Sequence, residues 1–350
     1  MSDLAKTTAI SCLTHTDSKV FMLSPLAICV TLNVYDLAKE VNFMDQIKHI
    51  LAVVDPSKEQ QHSLQRAVSL AQKTGAKITA FLSIYDFSYE MTTMLSREER
   101  DAMRDAVIKD REAWLGELTA SFLDIEINKK VVWHNRPFEA IIKTVINSDF
   151  DLVVKSTHQH DTLKSVIFTP TDWHLIRKCP TPVLLVKDHA WPERGHVLAA
   201  VNAASDNEQH QTLNERIITD ANFICNIADA NLSIVNTYPA TPVNIAIEIP
   251  EFNPSQYNEA VKKHHEDETF ALAERFALTP KQCIIKEGLP EDVIPYVAKE
   301  CQSELVVIGT VGRTGLSAAL VGNTAEHVID SLDCDVLALK PDGYRSPLED

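Results

Sequence analysis

Short runs of apolar and β-branched residues alternate along this chain with stretches whose apolar residues recur at helical spacing. The runs ILAVV (50–54), KITAFLSI (77–84), INKKVVW (127–133), LVV (152–154) and VLLV (183–186) suit strands buried on both faces of a parallel sheet. Between the first two lies HSLQRAVSLAQKTG (62–75), which reads as an amphipathic helix stopped by Gly75. A second helix is predicted over 137–147, with Pro137 in the first turn, where the missing N–H costs no hydrogen bond. Such alternation predicts an open, mostly parallel sheet with helices on both faces.

The pattern then starts again, with VLAAV, LSIV, CIIK, LVVIG and VLAL as its strands. HILAVVDP (49–56) matches HVLAAVNA (196–203), and the segments 152–186 and 305–339 align without a gap at an offset of 153 residues. The chain therefore reads as two domains, 44–187 and 188–342, each of about the usual domain size. A linker falls near 187–195, a tail at 343–350, and an N-terminal extension expected to be weakly ordered at 1–43.

Composition narrows the partners. A formal net charge of −16 argues against nucleic-acid backbone or anionic lipid, both of which reward a basic face. The seven cysteines are scattered with no C-x-x-C pair, which fits a reducing compartment better than a disulfide framework. The apolar stretch VFMLSPLAICVTLNV (20–34) is short for a membrane span, is interrupted by Ser24 and Pro25, and lacks the basic start of an export signal. A cytoplasmic protein without a membrane span is expected.

Three of only nine glycines fall in one frame, Gly309-x2-Gly312-x9-Gly322, directly after the strand LVVIG. Ligands of doubly wound sheets bind at that carboxyl edge. Gly309 and Gly312 permit a tight turn with N–H groups close to an anion, and Asn323 suits a helix N-cap with Glu326 closing a capping box. Phosphate binding and simple turn-shaping both stay open on this geometry. The frame is neither a Walker A loop nor a Rossmann G-x-G-x-x-G.

A G-x2-G-x9-G frame on a strand–loop–helix, written into a two-fold repeat, resembles the tandem members of the universal stress protein family. The segments IYDFSYEMTT (84–93), HNRPFEAI (134–141), IFTPTDWHL (167–175), PVNIAIEIPEF (242–252) and GTVGRTG add to that resemblance, which spans about residues 44–342. It implies a Rossmann-like α/β sandwich of two five-stranded, mostly parallel sheets with flanking helices, paired as an internal pseudo-dimer; further homo-oligomers are compatible with it. Some family members bind ATP through the glycine loop and an aspartate ending the first strand. Carried onto this chain, the nucleotide site would comprise Gly309, Gly312, Arg313, Gly322, Asn323, Thr324 and Asn202.

Two departures qualify that site: Asn323 stands where Ser or Thr is usual, and Asn202 where the aspartate is usual. The first repeat departs the other way, keeping Asp55 but placing Ser156, Gln159 and Thr169 at the glycine positions. It is expected to bind no ATP. Asp172 and Glu326 read as equivalent first-turn acids.

His158 and His160, in the loop that replaces the glycines, are weak metal candidates, with His134 and His174 in motifs that converge nearby; no cysteine stands at ligand spacing. His264 and His265 read as a solvated helix face. The long apolar segments 85–95 and 238–252 suit either an interface between the repeats or a pocket for an apolar ligand. No G-x-S-x-G elbow or other nucleophile arrangement occurs, so no catalytic residue is assigned and a non-enzymatic stress-response binding protein is expected. The alternatives are an ATP-binding switch and a sensor of an apolar or metal ligand.

Overall fold

Each apolar run forms a strand and each helical pattern a helix. The computed structural model describes residues 47–88, 95–159, 166–241, 253–310 and 323–349. In the first repeat β1 (His49–Val53) leads through α1 (His62–Thr74) to β2 (Lys77–Ile84). Then come α2 (Arg97–Thr119), β3 (Ile127–Trp133), α3 (Pro137–Ile146) and β4 (Leu152–Ser156). A two-residue pair, β5 (His158–Gln159) and β6 (Val166–Ile167), precedes α4 (Pro170–Lys178) and β7 (Val183–Val186). The second repeat runs β8 (His196–Val201), α5 (Glu208–Ala228), β9 (Asn231–Tyr238), α6 (Pro254–Glu274) and β10 (Cys283–Glu287). It finishes with α7 (Pro290–Glu300), β11 (Leu305–Gly309), α8 (Asn323–Asp330) and β12 (Asp335–Leu339).

The punctuation is local chemistry. α1 ends where Gly75 takes the left-handed conformation, φ 73°, which glycine reaches without a Cβ clash. α3 opens with Pro137 in its first turn. α2 starts from a reciprocal capping box between Ser96 and Glu99.

The five strands of each repeat do not stand as separate sheets. Among the described residues they join in one ten-stranded sheet, ordered β10-β9-β8-β11-β12-β7-β4-β1-β2-β3. Its pairings are parallel within each repeat, while β7 and β12 meet antiparallel, with Leu184 opposite Leu337. Those two leucines are also related by the 153-residue offset, so the pair lies on a pseudo-two-fold axis. The inner edge strand of each half thus satisfies the other's backbone groups.

Alternation along β7 and β12 sends side chains to opposite faces. Val183, Leu185, Val336 and Ala338 join a core built with Ile141 of α3, Leu175 of α4, Val297 of α7 and Val328 of α8. Leu184 and Leu337 point to the other face, which carries α1 and α5. Across the first face Arg177 of α4 grips Glu326 of α8 through two hydrogen bonds of 2.7 Å each. A bidentate pair of this kind fixes orientation as well as adding energy.

Candidate functional site

The carboxyl ends of β1 and β4 in one repeat, and of β8 and β11 in the other, define two matching edges. Both first-strand ends are held by the same device. The Asp55 N–H donates to Gln61 Oε1 at 2.9 Å while Gln61 Nε2 donates to the Asp55 carbonyl at 2.6 Å. In the second repeat the Asn202 N–H donates to Asn214 Oδ1 at 3.0 Å, and Asn214 Nδ2 returns a 2.9 Å bond to the Asn202 carbonyl. Either carboxamide supplies the donor and acceptor that a strand end lacks. Asp55 further receives the N–H and hydroxyl of Ser57 on Oδ1, at 2.9 and 2.7 Å.

The glycine positions then separate the repeats. Gly309 ends β11 where the Leu213 side chain of α5 comes down on it, and an added Cβ would overlap that leucine. Close helix–strand packing therefore gives Gly309 a reason of its own. Thr310 continues the edge, its N–H and hydroxyl both donating to the Leu339 carbonyl at 2.9 and 3.0 Å. Asn202 is exposed at the end of the neighbouring strand, and Thr324 is exposed in the first turn of α8. Gly312, Arg313, Gly322 and the Asn323 side chain lie outside the described residues.

At the position matching Gly309, Ser156 accepts the Ser63 N–H at 2.8 Å, while the Ser63 hydroxyl donates to the Val53 carbonyl at 2.6 Å. The start of α1 is thereby capped from β4. The start of α4 is closed too: Thr169 and Asp172 form a capping box, the Thr169 N–H donating to Asp172 Oδ2 at 2.6 Å. Asp172 is fully buried and its other oxygen lies 2.7 Å from Lys155 Nζ. The helix start that favours an anion already holds a carboxylate, neutralised by a lysine from β4.

One expectation changes here. Asn323 opens α8 as its first helical residue, and Glu326 is drawn sideways to Arg177. Asp172 closes its own helix and Glu326 ties two helices together; the cap expected of the Asn323 side chain lies outside the described residues. Lys155 leaves little sign in the sequence, because a single polar residue at the end of an apolar strand looks like a solvent-facing terminus.

Beside the first repeat's edge lies a cavity of about 510 Å³, lined by Asp55, Ser83, Pro137, Lys155, Ser156 and Thr169 among others. His62 on its rim pairs with Asp188 at 2.6 Å. His134 and His174 serve elsewhere. His134 Nδ1 accepts the Arg136 N–H at 3.0 Å, and His174 stacks on Phe138 with centroids 4.0 Å apart. Burial, then Lys178 and Arg177, lowers the His174 pKa. No three His, Cys, Asp or Glu side chains converge among the described residues. The His158 side chain and His160 lie outside them, as do residues 89–94 and 242–252 of the two long apolar segments.

The pair at 264–265 divides. His264 is exposed, but His265 turns toward β9, where its Nδ1 lies 3.0 Å from Nδ2 of the buried Asn236. Asn236 Nδ2 also donates to Thr269 Oγ1 at 3.0 Å. The solvated reading holds for one histidine of the two. Among the described cysteines Cys179, Cys225 and Cys334 are buried thiols pushed up to about 12 by that burial, far from thiolate reactivity.

A parallel α/β sheet duplicated across an antiparallel seam, with Gly309 at one carboxyl edge, is the architecture of a paired Rossmann-like α/β fold. The chain belongs to the universal stress protein family, whose model matches twice, over residues 46–187 and 196–340. It is 52% identical over 309 residues to universal stress protein E of Escherichia coli K12 and to that of Salmonella typhi, covering 87% of this chain and 98% of each relative. The Haemophilus influenzae homologue of that protein is 44% identical over 308 residues, covering 85% and 98%. Among solved structures, a functionally unknown protein from Pseudomonas aeruginosa PAO1 superposes with a TM-score of 0.66 at 29% identity, covering 86% of this chain and 95% of its own. A universal stress protein from Archaeoglobus fulgidus shares the fold at 13% identity and a TM-score of 0.53, covering 84% and 96%. Among the described residues no helix is long and apolar enough to cross a membrane.

Proposed function

We propose that this chain serves the stress response in the cytoplasm by binding a small ligand or partner, without catalysis. The observation that carries this reading is the closed polar chemistry of the first repeat's edge. A catalytic acid or base needs a poised proton within reach of a substrate. Here the buried charges, Lys155 and Asp172, are spent on each other, and Asp55 is engaged by Ser57. What is left is a preformed cavity with fixed walls, the form of a binding site.

A second reading rests on the other edge. The Thr310 anchor holds the start of the glycine frame at the sheet's rim, where Gly312, Arg313, Gly322, Asn323 and Thr324 would meet a nucleotide phosphate and Asn202 its ribose. In this reading ATP binds to the second repeat alone and acts as a switch.

Native mass spectrometry of the freshly purified chain, followed by calorimetric titration with Mg-ATP, separates the two. The binding reading expects no phosphate release from ATP above the level of a Gly312→Trp variant. Turnover that disappears in that variant would overturn it. Heat of Mg-ATP binding lost in Gly312→Trp supports the switch, whereas absence of heat removes it.

A further inference from the structure

The pseudo-two-fold at Leu184 and Leu337 means that each feature beside the seam on the α1/α5 face has a counterpart. Among the described residues, the chain fills one of these two places and leaves the other open. Beside α1, residues of the 187–195 linker drop into a notch. Trp191 Nε1 donates to Asp335 Oδ2 at 2.9 Å, and the Arg66 guanidinium lies over the indole, 4.0 Å from its centroid. Arg66 also reaches Asp335 at 3.2 Å and donates to the His189 carbonyl at 2.7 Å. An aromatic ring, a cation and a buried carboxylate close the notch together.

The counterpart beside α5 is a cavity of about 590 Å³ lined by Leu184 and Leu337, with Phe150, Phe223 and Asp220 among its other residues. Two of its wall positions have counterparts in the filled notch. Asp220 and Arg66 stand equally far before the left-handed residues, Asp229 and Gly75, that end their helices. Pro182 stands at the 153-residue offset from Asp335. Among the described residues no second aromatic plug enters: Asp342 lines the cavity, and the chain then reaches the other face, where the Tyr344 hydroxyl donates to the Arg177 carbonyl at 2.8 Å.

The exchange of Arg66 for Asp220 reverses the charge that the helix offers. Around Asp220 stand Glu215 and Arg216 from its own helix, Asp342 after β12, and Asp151 before β4. Asp151 Oδ2 already accepts the N–H groups of Lys48 and His49 at 2.9 Å each. Arg216 is committed to the Lys340 carbonyl and to Asp342, each at 3.1 Å, and lies 3.7 Å from Asp220. Asp220 thus faces an apolar floor with one divided cation beside it, and burial lifts its pKa to about 6.

We propose that this open notch binds a small amphipathic cation, an amine carried on a flat aromatic body. Its ring lies over Leu184 and Leu337 and its ammonium meets Asp220. The ligand brings from solution the ring and the cation that Trp191 and Arg66 supply on the other side.

Tryptamine, which joins an indole to an amine, is the probe, with indole-3-acetate as its anionic counterpart. Calorimetric or NMR titration of the full chain at pH 7.5 is expected to give saturable one-to-one binding of tryptamine and none of the acetate. Asp220→Asn weakens tryptamine by about tenfold or more, the usual cost of losing a charge-assisted bond. Lowering the pH through about 6 weakens it in the wild type, as the carboxylate takes up its proton. Thr219→Trp, which fills the notch from α5, abolishes binding and keeps the test open should the first variant fold poorly. Absence of saturable binding, equal binding of the acetate, or affinity unmoved in either folded variant overturns the proposal.

Discussion

At the start of α4 the Asp172 carboxylate turns inward, completes its own helix cap and meets Lys155 in the dark of the protein. At the start of α8 Glu326 turns outward along the seam and binds Arg177 of the other repeat. The same sheet edge and the same helix direction are thus put to different use. In the first repeat the polar groups near the helix start are satisfied internally and the edge is a finished wall. In the second, Glu326 of the first helical turn is bound across the seam to Arg177. Duplication supplied two copies of one edge, and a few side chains gave the two copies different polar contacts.

The sharpest way to break this comparison is to remove Asp172. Asp172→Ala leaves Lys155 with a buried uncompensated charge and is expected to cost about 3–5 kcal/mol in urea unfolding. Adding Lys155→Met should restore the share of that loss due to the orphaned charge, leaving about 1 kcal/mol for the lost Thr169–Asp172 cap. A single-variant loss below about 1 kcal/mol, as for an exposed pair, would mean that the wall is not held this way.

A somewhat smaller effect is expected at the matched positions Arg66 and Asp220. Asp220 titrates near 6 in the folded chain against 3.8 when unperturbed. The folded state therefore takes up the proton first, and stability falls as pH rises from about 4 to about 6, where the deficit becomes complete. Asp220→Asn should gain on the order of 2–3 kcal/mol at pH 7.5 and close to nothing at pH 4, read from thermal melts at both pH values. A gain independent of pH would assign the effect to packing instead.

Gly309→Ala comes next. Its Cβ would strike Leu213, so a loss of about 1–3 kcal/mol is expected, recovered in part when Leu213→Ala opens the space. Should Leu213→Ala give no recovery, the glycine is needed for something other than packing. The smallest effect belongs to Glu326→Gln, which weakens one partly buried bidentate pair by about 1 kcal/mol. The thermal midpoint should fall slightly and the loss should shrink in high salt.

Much of this fold was legible beforehand because periodicity and punctuation are local. KITAFLSI and INKKVVW form strands over their whole predicted lengths, and Gly75 stops its helix as expected. The tandem repeat was equally plain, since the 153-residue offset can be read without knowing any contact. What escaped were the contacts between distant residues. Nothing local indicates that β7 and β12 would pair antiparallel into one sheet, or that Trp191 of the linker would sit on Arg66 and Asp335. At the candidate site Gly309 ends its predicted strand and Asn202 follows its own, and the pairing of those two strands is a contact between distant residues. The Lys155–Asp172 pair was missed because its members belong to different elements and neither type marks such a partnership. His265 was misjudged because helical spacing distinguishes faces only when neighbouring residues differ in polarity, and KKHHEDE does not.

The antiparallel seam has a further consequence. When two identical chains meet about a two-fold axis, every substitution is made in both, so a useful change at one edge is forced on the other. Here both partners of the pair are written on one strand of polypeptide. Arg66 could remain while its counterpart became Asp220, and Ser156 could arise without disturbing Gly309. The partners also cannot be diluted apart or exchanged with those of another molecule, so each altered half keeps the neighbour with which it was altered.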